Sequence, residues 1–115
     1  MQLKLYESNY EGGSCIKLPK IIYSENYIII DSDYNYIIIK NKKYNLINPK
    51  IQKIDYKYNF GGFIGPQNIK GLKYSYNLNG DILNVYKLDK FNKNKYEFEY
   101  IEFLNKQYRS KNFFE

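Results

Sequence analysis

The chain has 115 residues, enough for one domain with a single core. It carries 18 Lys and Arg against 12 Asp and Glu, a net charge of +6, with one cysteine and no histidine. Ser-His-Asp and Cys-His catalytic arrangements, imidazole metal ligands, intramolecular disulfides and cysteine-based metal sites are therefore excluded.

Short apolar stretches rich in Ile, Tyr and Phe, separated by Asn, Asp, Gly, Ser or Pro, predict a mainly β fold. From the N-terminus the expected strands are Gln2–Glu7, Lys20–Ser24 and Tyr27–Asp31. Tyr34–Lys40 and Lys43–Ile47 follow, with turns near Ser32-Asp33 and Asn41-Lys42. The triplets Ile28 to Ile30 and Ile37 to Ile39 put apolar side chains on both faces of their strands. Such strands are either central and covered on both sides or packed on a partner, which admits a homodimer.

Lys50–Tyr58 alternates cleanly, with Ile54, Tyr56 and Tyr58 on one face and Lys53, Asp55 and Lys57 on the other. The stretch YNFGGFIGPQNIKG then breaks the alternation and reads as a long loop with Phe63 and Ile64 at its tip. Gly71–Leu78 and Asp81–Leu88 form a hairpin around Asn79-Gly80, both of which tolerate the positive φ of a type I′ turn. Setting Leu78 opposite Asp81 collects Leu72, Tyr74, Tyr76, Leu78, Leu83 and Val85 on one face, the expected core face. The C-terminal segment is ambiguous in period, and a strand over Lys95–Ile101 followed by a short helical turn is expected. The whole is read as a single β-rich domain, residues 1–115. Its architecture is an antiparallel meander of about seven to nine short strands forming a small barrel or sandwich, α+β if the C-terminal turn is a helix.

Several motif readings fail on chemistry. The glycine-rich loop lacks the Lys-Ser or Lys-Thr pair of a phosphate loop, and its G-G-x-x-G spacing is not a dinucleotide fingerprint. DSDYN, residues 31–35, starts like a calcium loop but has Tyr36 where glycine and Lys42 where the bidentate Glu are required, so an Asx-capped turn is expected. Cys15, after Gly12-Gly13-Ser14, is read as an inert thiol. Glu97 and Glu99 on one strand face are the remaining acid–base pair, more economically read as a solvated surface. No cofactor is implied.

Charge placement is more informative. Residues 36–95 hold 12 positive and 3 negative charges, and every basic residue except Arg109 is lysine. Lys, Asn, Ile and Tyr make up more than half the chain while Ala and Thr are absent, as A/T-rich coding would produce, so placement weighs more than abundance. The N-terminal stretch MQLKLYESNYEGG lacks a signal-peptide core and the isoleucine runs are too short to span a bilayer, so a cytoplasmic protein without a membrane role is expected.

No motif assigns the chain to a family. In size and character it is of the kind found among immunity proteins against toxins and phage-encoded inhibitors of host defence, which act by stoichiometric occlusion. On that expectation Lys40, Lys42, Lys43, Lys50, Lys53 and Lys57 face an acidic protein partner, and Phe63 and Ile64 are anchors. A single-stranded nucleic-acid binder using lysines and aromatic rings is the first alternative. A histidine-free, carboxylate-dependent enzyme is the second.

Overall fold

Period-two alternation persists through most of the chain, and among the described residues the backbone answers it with nine antiparallel strands and no helix. The computed structural model describes residues 1–59, 65–88 and 99–111. The strands are β1 (Gln2–Glu11), β2 (Lys20–Asp31), β3 (Tyr36–Ile39), β4 (Lys42–Asn45), β5 (Lys50–Asn59), β6 (Pro66–Leu78), β7 (Asp81–Leu88), β8 (Glu99–Phe103) and β9 (Lys106–Arg109). They lie in one sheet in the order β4-β3-β2-β1-β9-β8-β7-β6-β5. Two meanders, β1 to β4 and β5 to β9, are thus joined side by side where Glu7 pairs with Tyr108.

The antiparallel meander matches expectation, but the sheet is open rather than a closed barrel or a two-sheet sandwich. Its edges, β4 and β5, are not hydrogen-bonded to each other. They are nevertheless consecutive in the chain, and this forces the sheet to roll. Laid flat, a sheet of this order would hold its edge strands about 38 Å apart. The link from Asn45 to Lys50 can span at most about 17 Å. Rolling brings the two meanders face to face, so Ile28, Ile30 and Ile37 from one share a core with Tyr76, Leu78, Leu83, Val85, Ile101 and Phe103 from the other. Leu46, in the link itself, is buried in that core, and its N–H donates to the Asn35 carbonyl at 2.9 Å. Each fully buried aliphatic side chain contributes about 2 kcal/mol.

The isoleucine triplets divide as the pleat requires. Ile30 and Ile37 are paired and buried, while Ile29 and Ile38 are paired on the opposite face and remain half-buried. The Asn79-Gly80 hairpin has the expected register, with Leu78 opposite Asp81 and positive φ at both turn residues. The Asn77 side chain also accepts a hydrogen bond from Gly80 N–H at 2.7 Å. DSDYN forms its Asx-capped turn, with Asp31 Oδ2 accepting from Asn35 N–H at 3.2 Å.

Four expectations need correction. Lys20–Ser24 and Tyr27–Asp31 are one strand, and the break between them is a bulge in which Ser24, Glu25 and Asn26 oppose Glu7 alone. The C-terminal helical turn is instead a hairpin, β8 to β9, turning on Leu104 and Asn105 at φ of 49° and 63°. The loop at residues 58–71 is shorter than expected, because β5 and β6 pair into it as far as Asn59 opposite Pro66. Ile54 and Tyr56 point away from the lysines as expected, yet they enter a second cluster with Ile69, Tyr86 and Tyr100 on the face opposite the main core. Residues 95–98 of the expected C-terminal strand lie outside the described residues.

Candidate functional site

Which lysines can act together follows from the pleat and from the two sheet edges. Lys53 and Lys57 are four residues apart on β5, share one face with Asp55 and are exposed, with Lys50 at the start of the same strand. Lys42 and Lys43 are adjacent on β4 and project to opposite faces. The Lys42 ammonium sits 5.2 Å from the Tyr44 ring centre, and that of Lys43 sits 4.4 Å from Tyr36. Lys40 occupies the first turn position of the β3–β4 hairpin at φ 51°, a conformation costly for a residue with a side chain. It lines a cavity of about 410 Å³ with Glu7, Glu25 and Lys106. Opposite charges already meet there, since Lys106 Nζ is 3.6 Å from Glu7 Oε1.

Of the predicted lysines, Lys42 and Lys43 lie on the edge strand β4, Lys50, Lys53 and Lys57 on the edge strand β5, and Lys40 in the turn before β4. Phe63 and Ile64 lie outside the described residues. Glu97 does too, while Glu99 is exposed opposite Lys87. Cys15 is exposed between β1 and β2. Among the described residues no three His, Cys, Asp or Glu side chains gather to hold a metal, and no helix is long and apolar enough to cross a membrane.

The second cluster holds the residue that sequence reasoning passed over. Arg109 ends β9 with 1% of its surface exposed. Its Nη1 donates to Ser8 Oγ at 3.0 Å and to Gln107 Oε1 at 2.8 Å. The guanidinium lies over the Tyr100 ring, 4.4 Å from its centre, and Tyr100 stacks on Tyr86 at 4.6 Å. Burying a guanidinium is costly without such acceptors and π faces, so this arrangement fixes the arginine in place. The available signal was chemical uniqueness: a lone arginine among lysines, in a composition that favours lysine, marks a site where a planar fork is required.

A polar ladder continues from it across β6, β7 and β8. Ser75 Oγ donates to Asn84 Oδ1 at 2.7 Å, and Asn84 Nδ2 and Tyr86 OH both donate to Glu102 Oε1 at 3.3 Å. Burial pushes the Tyr86 phenol far above its ordinary range, helped by Tyr56 and by the Glu102 charge. The phenol therefore stays protonated and acts as a donor to that carboxylate. Tyr10, Tyr56, Tyr100, Lys57, Gln107 and Arg109 line a second cavity of about 290 Å³ beside this ladder. No family model, curated protein or solved structure matches this chain.

Proposed function

We propose that this protein is a non-enzymatic binding module that covers an acidic surface of a protein partner and acts by stoichiometric occlusion, as immunity proteins and phage-encoded inhibitors do. The observation that carries this reading is the edge strand β5. It is ten residues long, and among the described residues no strand pairs with its outer side. An edge of this length is a template for pairing with another chain. Lys50, Lys53 and Lys57 along it repel a second copy of the same edge and complement an acidic one. Strand addition then supplies main-chain hydrogen bonds, while the lysines select the partner by charge. Exposed Ile51 beside them adds apolar contact area.

The test is capture of partners by the tagged protein from its source cells, with and without nuclease. A single protein retained in stoichiometric amount after nuclease treatment, and released by salt, is the expected result. Partners lost with nuclease would move the reading to nucleic acid.

One observation favours that second reading. On the outer face of β1 and β2, Lys4 lies 4.7 Å from the ring centre of exposed Tyr27, and Lys111 lies 4.0 Å from that of Tyr6. Paired cations and rings on an open strand surface are how single strands are held, and such binding would weaken steeply with salt.

A further inference from the structure

We propose that the segment of the partner received by β5 is an antiparallel strand, spanning Lys50 to Lys57, with a face of its own chemistry on each side. One face reads acidic, basic, acidic, apolar, and the other is apolar beside Ile54 and Tyr56. This rests on the docking reading above and names the occupant of that edge.

Pairing with β6 fixes which β5 side chains share a face. Ile51, Lys53, Asp55 and Lys57 stand opposite Tyr74, Leu72, Lys70 and Asn68. Tyr74 packs on the main core, so these four lie on that side of the sheet. Lys50, Gln52, Ile54 and Tyr56 alternate with them, and Ile54 and Tyr56 pack on the second cluster on the opposite side. A strand added to the open side of β5 continues the pleat, so each of its residues shares the face of the β5 residue it opposes.

Charge on the first face alternates in sign. Lys53, Asp55 and Lys57 are exposed, and none of the three is in an ion pair with a described residue. Other lysines are already engaged, Lys106 by Glu7 and Lys87 by the rings of Tyr34 and Tyr74. An edge that only repelled strands would be served by one sign of charge throughout. Asp55 between two lysines specifies a complement instead, a basic residue between two acidic ones. Ile51, 56% exposed, calls for an apolar neighbour at the end of the same row.

On the second face, residues opposite Ile54 and Tyr56 extend the apolar cluster that both join. Gln52 then opposes a polar residue and Lys50 an acidic one. Every pairing in the sheet is antiparallel, and antiparallel pairing is the more stable per residue. From its N-terminus the partner segment therefore reads acidic, apolar, basic, apolar, acidic, polar, apolar, acidic.

The probe is the synthetic peptide EVKVETIE, blocked at both ends and titrated into the intact protein. Binding is followed by nitrogen-proton amide spectra and by solvent exchange of the β5 amides. Its controls are EVKEVTIE, of the same composition with one acid moved to the other face, and the reversed sequence EITEVKVE. Saturable shifts centred on Lys50 to Lys57, slowed exchange there, and binding about fivefold weaker for EVKEVTIE are expected. Lys53→Glu combined with Lys57→Glu should weaken binding of EVKVETIE about tenfold and restore it for KVKVKTIE.

No saturation, shifts elsewhere on the sheet, equal binding of EVKEVTIE, or no rescue by KVKVKTIE would overturn the two-faced segment. Equal or tighter binding of EITEVKVE would overturn its direction. A free protein that already sediments as a dimer, with its β5 amides protected, would overturn a foreign occupant. The titrations need no cellular partner, so their failure beside a captured, nuclease-resistant protein leaves the docking reading standing. Saturable binding of the peptide with nothing captured from cells would instead defeat that reading.

Discussion

Arg109 shows how one residue can organise a face of this sheet. Its side chain joins β9 to β1 through Ser8 and to β8 through Tyr100, so its loss removes two charge-assisted hydrogen bonds and a ring contact together. Arg109→Met keeps the stem and should cost about 2 kcal/mol, read as a lower urea midpoint at unchanged slope. A change below about 0.5 kcal/mol would show that the fork has no structural role. The tyrosines make a second residue-scale statement. Tyr34, Tyr76, Tyr86 and Tyr108 all have phenols raised above the ordinary value, in each case chiefly by burial. A raised folded value means that their contribution is fully present below the unfolded pKa of about 10 and is lost as pH rises through the folded values. In an alkaline titration these four phenols should accordingly resist ionisation until the fold is lost. Ionisation of all 15 tyrosines in one step with the fold intact would contradict this. Little of this was visible in the chain, because burial of a tyrosine depends on which face of which strand the topology covers.

At the scale of elements, legibility tracked turn chemistry. Asn79-Gly80 announced its hairpin because both residues accept positive φ, and the register followed from the alternation on either side. Leu104-Asn105 makes the same kind of turn but hides it, since leucine is not a residue expected at φ 49°. That mismatch is itself testable. Leu104 is 59% exposed and gives up little packing, so Leu104→Asn should stabilise the protein by about 1 kcal/mol, measured by denaturant unfolding. Gly80→Ala should cost about 1 kcal/mol. A Cβ there would meet nothing within 4 Å, so the whole effect is backbone strain at φ 104°. The bulge in β2 was legible as a break between two strands, because Ser24, Glu25 and Asn26 interrupt the alternation. Core positions on β7 were the clearest, since Leu83 and Val85 fall on the expected core face and are buried there. Leu83→Ala should lose about 3 kcal/mol, as a fully buried leucine does.

For the whole molecule, sequence pattern identified an antiparallel meander but not its order. Pairing of β1 with β9 is a contact between the two ends of the chain, and no local alternation encodes it. The open edge follows from the same fact: once β9 docks on β1, β4 and β5 are left outermost with only residues 46–49 between them. The lysine surplus in the middle of the chain was legible as charge. Its division between two edge strands was not, because which strands end up at the edges depends on the pairing of β1 with β9. Charge reversal at Lys53→Glu and Lys57→Glu together touches an exposed face and should leave the thermal midpoint nearly unchanged. The decisive measurement is capture of nuclease-resistant protein partners by the wild type and by this double variant, side by side, with folding verified for both. Loss of the stoichiometric partner from the variant alone is the predicted result. Equal capture by both proteins would contradict a docking face on β5.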